Sequence, residues 1–253
     1  MKIESDPEWQ ALQSEHSVEA IHERINAKNH DYIGDAILGA IDGGVTTFAV
    51  IAGAIGGGFD NRVVVILGFA NLIADGFSMA VGNFLRARSQ HERIQAARRR
   101  EKAHIRTIPD GEREEVRQIF AQKGFKGQAL ERIVATLSQD EENWIQTMLR
   151  EELGLPTEAP NAFVAASATF GAFLLVGLLP LLPFLFPAFG LWQAFWVSAA
   201  VTACAFLAAG LVKGLALKLP VLRSGIQTLL TGGGAALLAY WISSWLRQRY
   251  GAG

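Results

Sequence analysis

Cysteine is almost missing from this chain: Cys204, inside an apolar run, is the single one among 253 residues. That count excludes a disulfide framework and a cysteine metal cluster. Charge is scarce as well. Half of the residues are hydrophobic and 19% are charged, which is low for a soluble protein of this length. Most of that charge falls in residues 1–31 and 86–158, leaving long tracts with little of it. This is the pattern of a multi-span membrane protein. The opening residues, with Glu4, Asp6 and Glu8, lack a basic region followed by an apolar core, so no signal peptide is expected. No phosphate-binding loop is visible, because Gly56-Gly57-Gly58 is not followed by a lysine. No nucleotide partner is therefore expected. Nucleic-acid binding has no support either: the arginines beside the second apolar run are explained by topology and by anionic lipid headgroups. No internal repeat is found.

What is present is a set of five apolar runs, 33–58, 63–85, 162–186, 192–212 and 226–246, each long enough to cross about 30 Å of hydrocarbon as a helix. Arg86, Arg88, Arg93 and Arg98-Arg99-Arg100 follow the second run and place its end in the cytosol by the positive-inside rule. Arg247 and Arg249, beyond the fifth run, oppose the resulting outside location of the C-terminus. Nothing breaks the helical period between Asn83 and His104, so span 2 is expected to continue into the polar segment as one helix. Pro109 marks its stop, and further helices are expected over 112–122, 127–137 and 140–153. The fold class is an all-α membrane protein with five transmembrane helices and a cytosolic helical metal-binding domain between spans 2 and 3. Its expected divisions are a cytosolic arm (1–30, with a helix near 17–27), spans 1 and 2 (31–88), the cytosolic domain (89–160) and spans 3 to 5 (161–253). Gly39-x-x-x-Gly43 in span 1 and Gly232-Gly233-Gly234 in span 5 allow close helix approach. Pro180, Pro183 and Pro187 can kink or end span 3.

Several residues stand where hydrocarbon should not tolerate them. Asp35 and Asp42 are seven apart on one face of span 1, and Asp31 extends the row by a turn. In span 2, Asn71, Asp75, Met79 and Asn83 repeat every four residues. A carboxylate at mid-bilayer costs about 2.5–3.5 kcal/mol on the insertion scale, so by default it lines a path or a site. Oxygen ligands alone suit magnesium or calcium, whereas a thioether moves the preference toward a borderline metal such as ferrous iron. The same acids bind protons that a metal expels, which would couple the two ions in opposite directions. Plainer readings compete: Met79 as packing, Asp42 as a helix-pairing acid bonded to Thr46 or Thr47, and Asp31 and Asp35 as solvated interface groups. In the polar segment, Glu101 with His104, Glu112 with Glu115, and Met148 with Glu152 are each one helical turn apart, so each pair can face a common ion or form a wet helix surface.

Certain stretches resemble the vacuolar iron transporter family: Asp35-Ala-Ile-Leu-Gly-Ala-Ile-Asp42-Gly-Gly-Val-Thr, then Phe77-Ser78-Met79-Ala80 with Gly82. Pro109-Asp110-Gly111-Glu112-Arg113-Glu114-Glu115-Val116 and the tail from Trp144 through Met148 to Glu152 resemble it too. The resemblance implies a five-span homodimer in membrane lipid that carries ferrous iron out of the cytosol in exchange for protons, along a path at the dimer interface. It implies Asp42 and Met79 as central metal ligands, with Asp31 and Asp35 at the cytosolic mouth. Glu101, Glu112, Glu115, Met148 and Glu152 would form the cytosolic metal site. Three positions depart from the pattern: His104 for a glutamate, Leu149 for a second methionine, and Asn71 for a glutamate, with Asp75 one turn on as a replacement. Neutral histidine binds iron or zinc, so capture should weaken in acid.

The expected function is a proton-coupled carrier of Fe2+, with Mn2+ or Zn2+ as further ions, no permanently bound cofactor and no enzymatic activity. The cell (inner) membrane is favoured over a vacuolar one. Two alternatives use the same ligands. One is a membrane-bound di-iron oxidase, because Glu101-x-x-His104 and Glu19-x-x-His22 share the spacing of ferritin-like ligands; the other is a metal sensor.

Overall fold

The computed structural model describes residues 7–26 and 32–251, and within these every regular element is helical. The N-terminal unit contains α1 (Pro7–Glu15) and α2 (Val18–Asn26). α2 matches the expected helix; α1 was not foreseen, because its residues show no apolar face.

The second unit starts at Tyr32. α3 (Ile33–Gly57) ends at Gly58, whose left-handed backbone (φ 79°) returns its N–H to Ala54 and Ile55. Asp60 then caps α4 (Asn61–Thr107), its carboxylate accepting from the Val63 N–H at 3.0 Å. α4 is one uninterrupted helix of 47 residues, as the unbroken period predicts, and at 1.5 Å per residue it is about 70 Å long. Its first half packs with apolar helices and its second half with α5 (Pro109–Gln122) and α7 (Glu141–Thr147), while α6 (Gly127–Leu137) packs on α5 and α7. α7 runs on into a single π-helical turn, Met148–Glu152, in which the Leu153 N–H reaches back five residues to the Met148 carbonyl.

The remaining apolar helices are α8 (Ala162–Leu178), α9 (Leu191–Ala216) and α10 (Val221–Tyr250). Among the described helices, α3, α4, α9 and α10 have the length and composition of membrane spans. α8 is shorter than the 162–186 run predicts. It stops two residues before Pro180, which has no N–H to give to the Val176 carbonyl; the Leu179 N–H bonds that carbonyl instead, and a 3-10 turn (Leu182–Leu185) completes the segment.

α3 is the central helix and touches all four others. Gly39 and Gly43 make this possible: a Cβ on either would collide with the backbone carbonyl of Thr169 or of Phe173 on α8. Gly177 of α8 sits in turn against the Gly43 carbonyl, and Gly56 against the Tyr240 backbone of α10. The expected use of the span-1 glycines is thus realised. In span 5, Gly232 fits against the Phe206 ring, while Gly233 and Gly234 face open space. Phe173, Leu72, Leu181, Ile51 and Ile55 fill the apolar core.

The polar bundle has its own core of Ile105, Val116, Leu130, Val134, Trp144, Ile145, Met148 and Leu149. Ile119, Phe120 and Leu137 pack at its edge, and Ile133 is only partly buried. Ion pairs surround it: Glu141 with Lys102 and Arg106, and Arg117 with Glu131. Each exposed pair of this kind is worth about 0–1 kcal/mol, so the apolar core carries most of the stability.

Candidate functional site

Two groups of expected ligands lie in the second unit, one in the polar bundle and one among the apolar helices. In the bundle, α4 contributes Glu101 and His104 and α5 contributes Glu112. Ligand atoms from these three side chains lie within 4.8 Å of one another. Pro109 at the first position of α5 ends α4 and turns the chain so that Glu112 faces back onto it. Glu101 and Glu112 are each only 1% exposed, while the His104 side chain is 47% exposed and its Nδ1 stands 3.3 Å from Glu112 Oε1. Glu101 is held by Arg100, whose Nε donates to its Oε1 at 3.1 Å. Glu112 Oε2 is buried and has no hydrogen-bond partner.

That orphaned oxygen fits a cation better than it fits the bare protein, because an unpaired buried carboxylate is costly. Burial is the main cause that pushes Glu112 up to about 7, and the charges of Glu115 and Glu101 add to it; His104 partly offsets them. Glu152 is also raised, by desolvation first and then by Glu101 and Glu115, against the opposing pull of Arg100 and His104. Glu115 and Glu152, both at the surface, therefore sense the same cluster. The π turn brings Glu152 into this field. Such turns insert one extra residue and are frequent at functional sites, but nothing in the local sequence separates one from an α-helix. Met148, at the start of the turn, is fully buried in the apolar core of the bundle. Leu149 beside it is fully buried too.

A pH dependence follows from Glu112. Because its folded-state value lies above the usual 4.5, the folded bundle takes up a proton that the unfolded chain does not, between about pH 4.5 and 7. The metal-free protein should thus lose stability as pH rises through that window. Glu112→Gln removes the loss, so its melting temperature at pH 8 should exceed that of the parent chain. The same substitution should weaken metal binding by about 10- to 100-fold or more, as measured by calorimetry.

Among the apolar helices, Asp31 lies outside the described residues. Asp35 is paired with Arg86 of α4 at 3.1 Å. Arg86 also donates to Asn83 Oδ1, and Asn83 Nδ2 donates to Thr169 Oγ1 (2.7 Å) and to the Ala165 carbonyl (3.2 Å). Asn83 thus ties α4 to α8 at the end of the helices nearest the polar bundle. Asp42 is half-buried, and the Thr46 hydroxyl bonds its backbone carbonyl and not its carboxylate. Asp42 and Asp75 lie within electrostatic reach of each other across α3 and α4. Asn71, one turn from Asp75, has a buried Nδ2 with no partner. Met79 is half-buried and packs against the apolar core. Glu19 and His22 are exposed on α2 of the N-terminal unit.

The profile described as the VIT family matches residues 33–244. The chain is 31% identical over 220 residues to vacuolar iron transporter 1 of Tulipa gesneriana, covering 87% of this chain and 89% of that one. It is 29% identical over 259 residues to a vacuolar iron transporter of Toxoplasma gondii, covering 96% and 86%. With vacuolar iron transporter 1 of Arabidopsis thaliana it shares 28% over 243 residues, covering 96% and 94%.

Proposed function

The chain belongs to the VIT family, and from that premise we propose that it carries ferrous iron across a membrane, out of the cytosol, in exchange for protons. The observation that carries the reading is the convergence of Glu101, His104 and Glu112 around a buried carboxylate oxygen that no protein donor satisfies. Such a site captures a divalent cation from water at neutral pH and releases it as the carboxylate regains its proton. The names of the relatives support iron as the ion.

In this proposal the chain crosses the membrane five times, with α3, α4, α8, α9 and α10 as the spans. Residues 1–30 and 89–160 face the cytosol. Residues 31–88 form the path and 161–253 the supporting spans. Two copies form the transporter, and the cell (inner) membrane holds it. Glu101, His104, Glu112, Glu115, Met148 and Glu152 receive the ion. Asp31, Asp35, Asp42, Asn71, Asp75 and Met79 pass it on, with Asp42 and Met79 as its ligands within the membrane. Manganese or zinc binds the same groups, no cofactor is resident, and the iron leaves unoxidised.

The test is flux into liposomes containing the purified chain, comparing iron, manganese and zinc with and without a pH gradient. Iron uptake should increase when the gradient drives protons outward, and the vesicle interior should lose protons as iron enters. Equal uptake with and without the gradient would remove the proton coupling. Oxygen consumption on addition of ferrous iron should stay at background; a stoichiometric burst would instead favour an oxidase.

A further inference from the structure

A cavity of about 440 Å³ opens between α3, α9 and α10, lined by Phe48, Trp192, Phe195, Trp196, Ala236 and Tyr240 among others. It lies in the half of the helices remote from the polar bundle, where α9 begins and α10 ends. Its wall is well braced. Phe48 stacks on Phe195 with centroids 6.1 Å apart, and Phe195 meets Trp192 and Trp196 edge to face. Trp196 (66% exposed) and Leu237 (71%) leave its mouth open sideways, toward the space that bilayer hydrocarbon fills.

The same face of α10 continues past Tyr240 into a second recess of about 410 Å³, lined by Ser244, Arg247, Gln248 and Gly251. Positions 233, 237, 240, 244, 247, 248 and 251 keep to the three- and four-residue spacing that lines up one side of a helix. The guanidinium of Arg247 lies against Gly58, and Arg247 forms no ion pair among the described residues. Charge at this end of the helices comes from Arg62, Arg247 and Arg249 against Asp60 alone, and the Asp60 carboxylate is engaged in capping α4. Arg247 and Arg249 are the ones that oppose the positive-inside rule.

We propose that this face of α10 is a phospholipid site, with an acyl chain in the aromatic cavity and the phosphate on Arg247, Ser244 and Gln248. The dimensions agree. Gly233 to Arg247 spans 14 residues, about 21 Å along the axis, and one leaflet with its headgroup layer is about 20–22 Å thick. A soluble anion would use only the polar recess, and an uncharged lipid only the cavity. A phospholipid uses both, and it supplies the negative charge that the arginines lack. The site requires the helices to lie in a bilayer and is independent of which ion the protein carries.

The experiment is lipid titration of the full chain in detergent, followed by native mass spectrometry and thermal unfolding. Dioleoylphosphatidylglycerol should be retained at one molecule per chain and should raise the melting temperature. Dioleoylglycerol, with the same tails and no phosphate, should bind at least about tenfold more weakly, and glycerol phosphate alone should leave the melting temperature unchanged. Arg247→Gln should weaken phosphatidylglycerol binding by a similar factor, and Arg247→Lys should restore part of it. Gly233→Phe should abolish retention, since a Cβ there meets nothing within 4 Å and the ring would occupy the cavity. Equal retention of the two lipids, unchanged binding in Arg247→Gln or in Gly233→Phe, or a full shift with glycerol phosphate alone would each overturn the site. Should Gly233→Phe fail to fold, the two arginine variants, at an exposed helix end, decide the matter between them.

Discussion

Iron uptake by liposomes carrying the Asp42→Ala chain falls to background, at least about a hundredfold below that of the parent protein, while the melting temperature stays level or increases. The two halves of this expectation have one cause. A carboxylate inside the bilayer costs about 2.5–3.5 kcal/mol on the insertion scale, and the only neighbouring hydroxyl of α3 bonded at this residue, that of Thr46, spends its proton on the Asp42 backbone carbonyl. Asp75 of α4 lies within electrostatic reach of Asp42, and among the described residues no ion pair is formed by Asp42. In the proposed path, the cost of placing such a group there is accounted for by the ion it would hold. Met79 needs a different substitution, because it packs against the core and Met79→Ala would mix lost packing with lost sulfur. Met79→Leu conserves volume and should cost less than about 1.5 kcal/mol. Iron flux should nevertheless fall steeply in it, and manganese flux less, as a thioether matters more to the softer ion. Normal iron flux in both variants would show that the path lies elsewhere.

Gly43→Leu prevents the protein from accumulating in the membrane, or lowers its stability by about 3 kcal/mol or more in detergent. Its new Cβ would meet the Phe173 backbone, which has no side chain to swing aside, so α3 and α8 would have to separate. Separation would in turn unseat Gly177 from the Gly43 carbonyl and loosen the Asn83 and Thr169 contacts one end of the bundle depends on. Gly34→Ala is the matched comparison. A Cβ at Gly34 meets nothing within 4 Å, so this substitution should be neutral or stabilising by about 0.5–1 kcal/mol through its effect on the helix alone. Denaturation of the purified variants reads both.

Much of this architecture was visible beforehand because apolar runs and helical periods are properties of the chain itself. The continuity of α4 through Thr107 followed from the lack of any helix breaker. Gly39 and Gly43 could be read as a contact face, but their partners Thr169 and Phe173 could not, because the choice of neighbour is a tertiary decision. The pairing of Asp35 with Arg86 was hidden for the same reason, being a contact between residues 51 positions apart. In the bundle, spacing paired Glu101 with His104 and Glu112 with Glu115 within their own helices, but it could not show Glu112 meeting the pair on α4. Burial sorted them: Glu101 and Glu112 are enclosed, and Glu115 and Glu152 stay at the surface. The π turn at Met148 lay beyond the sequence signal, and the early end of α8 was only partly legible. The first depends on packing energy within the bundle. The second was marked by Pro180, Pro183 and Pro187, yet hydropathy alone runs straight through them.

The unbroken α4 has a geometric consequence. Asp75 and Glu101 are mounted on one shaft, 26 residues and about 39 Å apart, with a fixed phase of about 80° between them. Each added residue in the exposed stretch between would turn one acid by about 100° relative to the other, while seven would bring them back to within about 20°. If the proposed path holds, the length of α4 between these two acids is therefore as tightly specified as the acids themselves, although most side chains along it need never touch an ion.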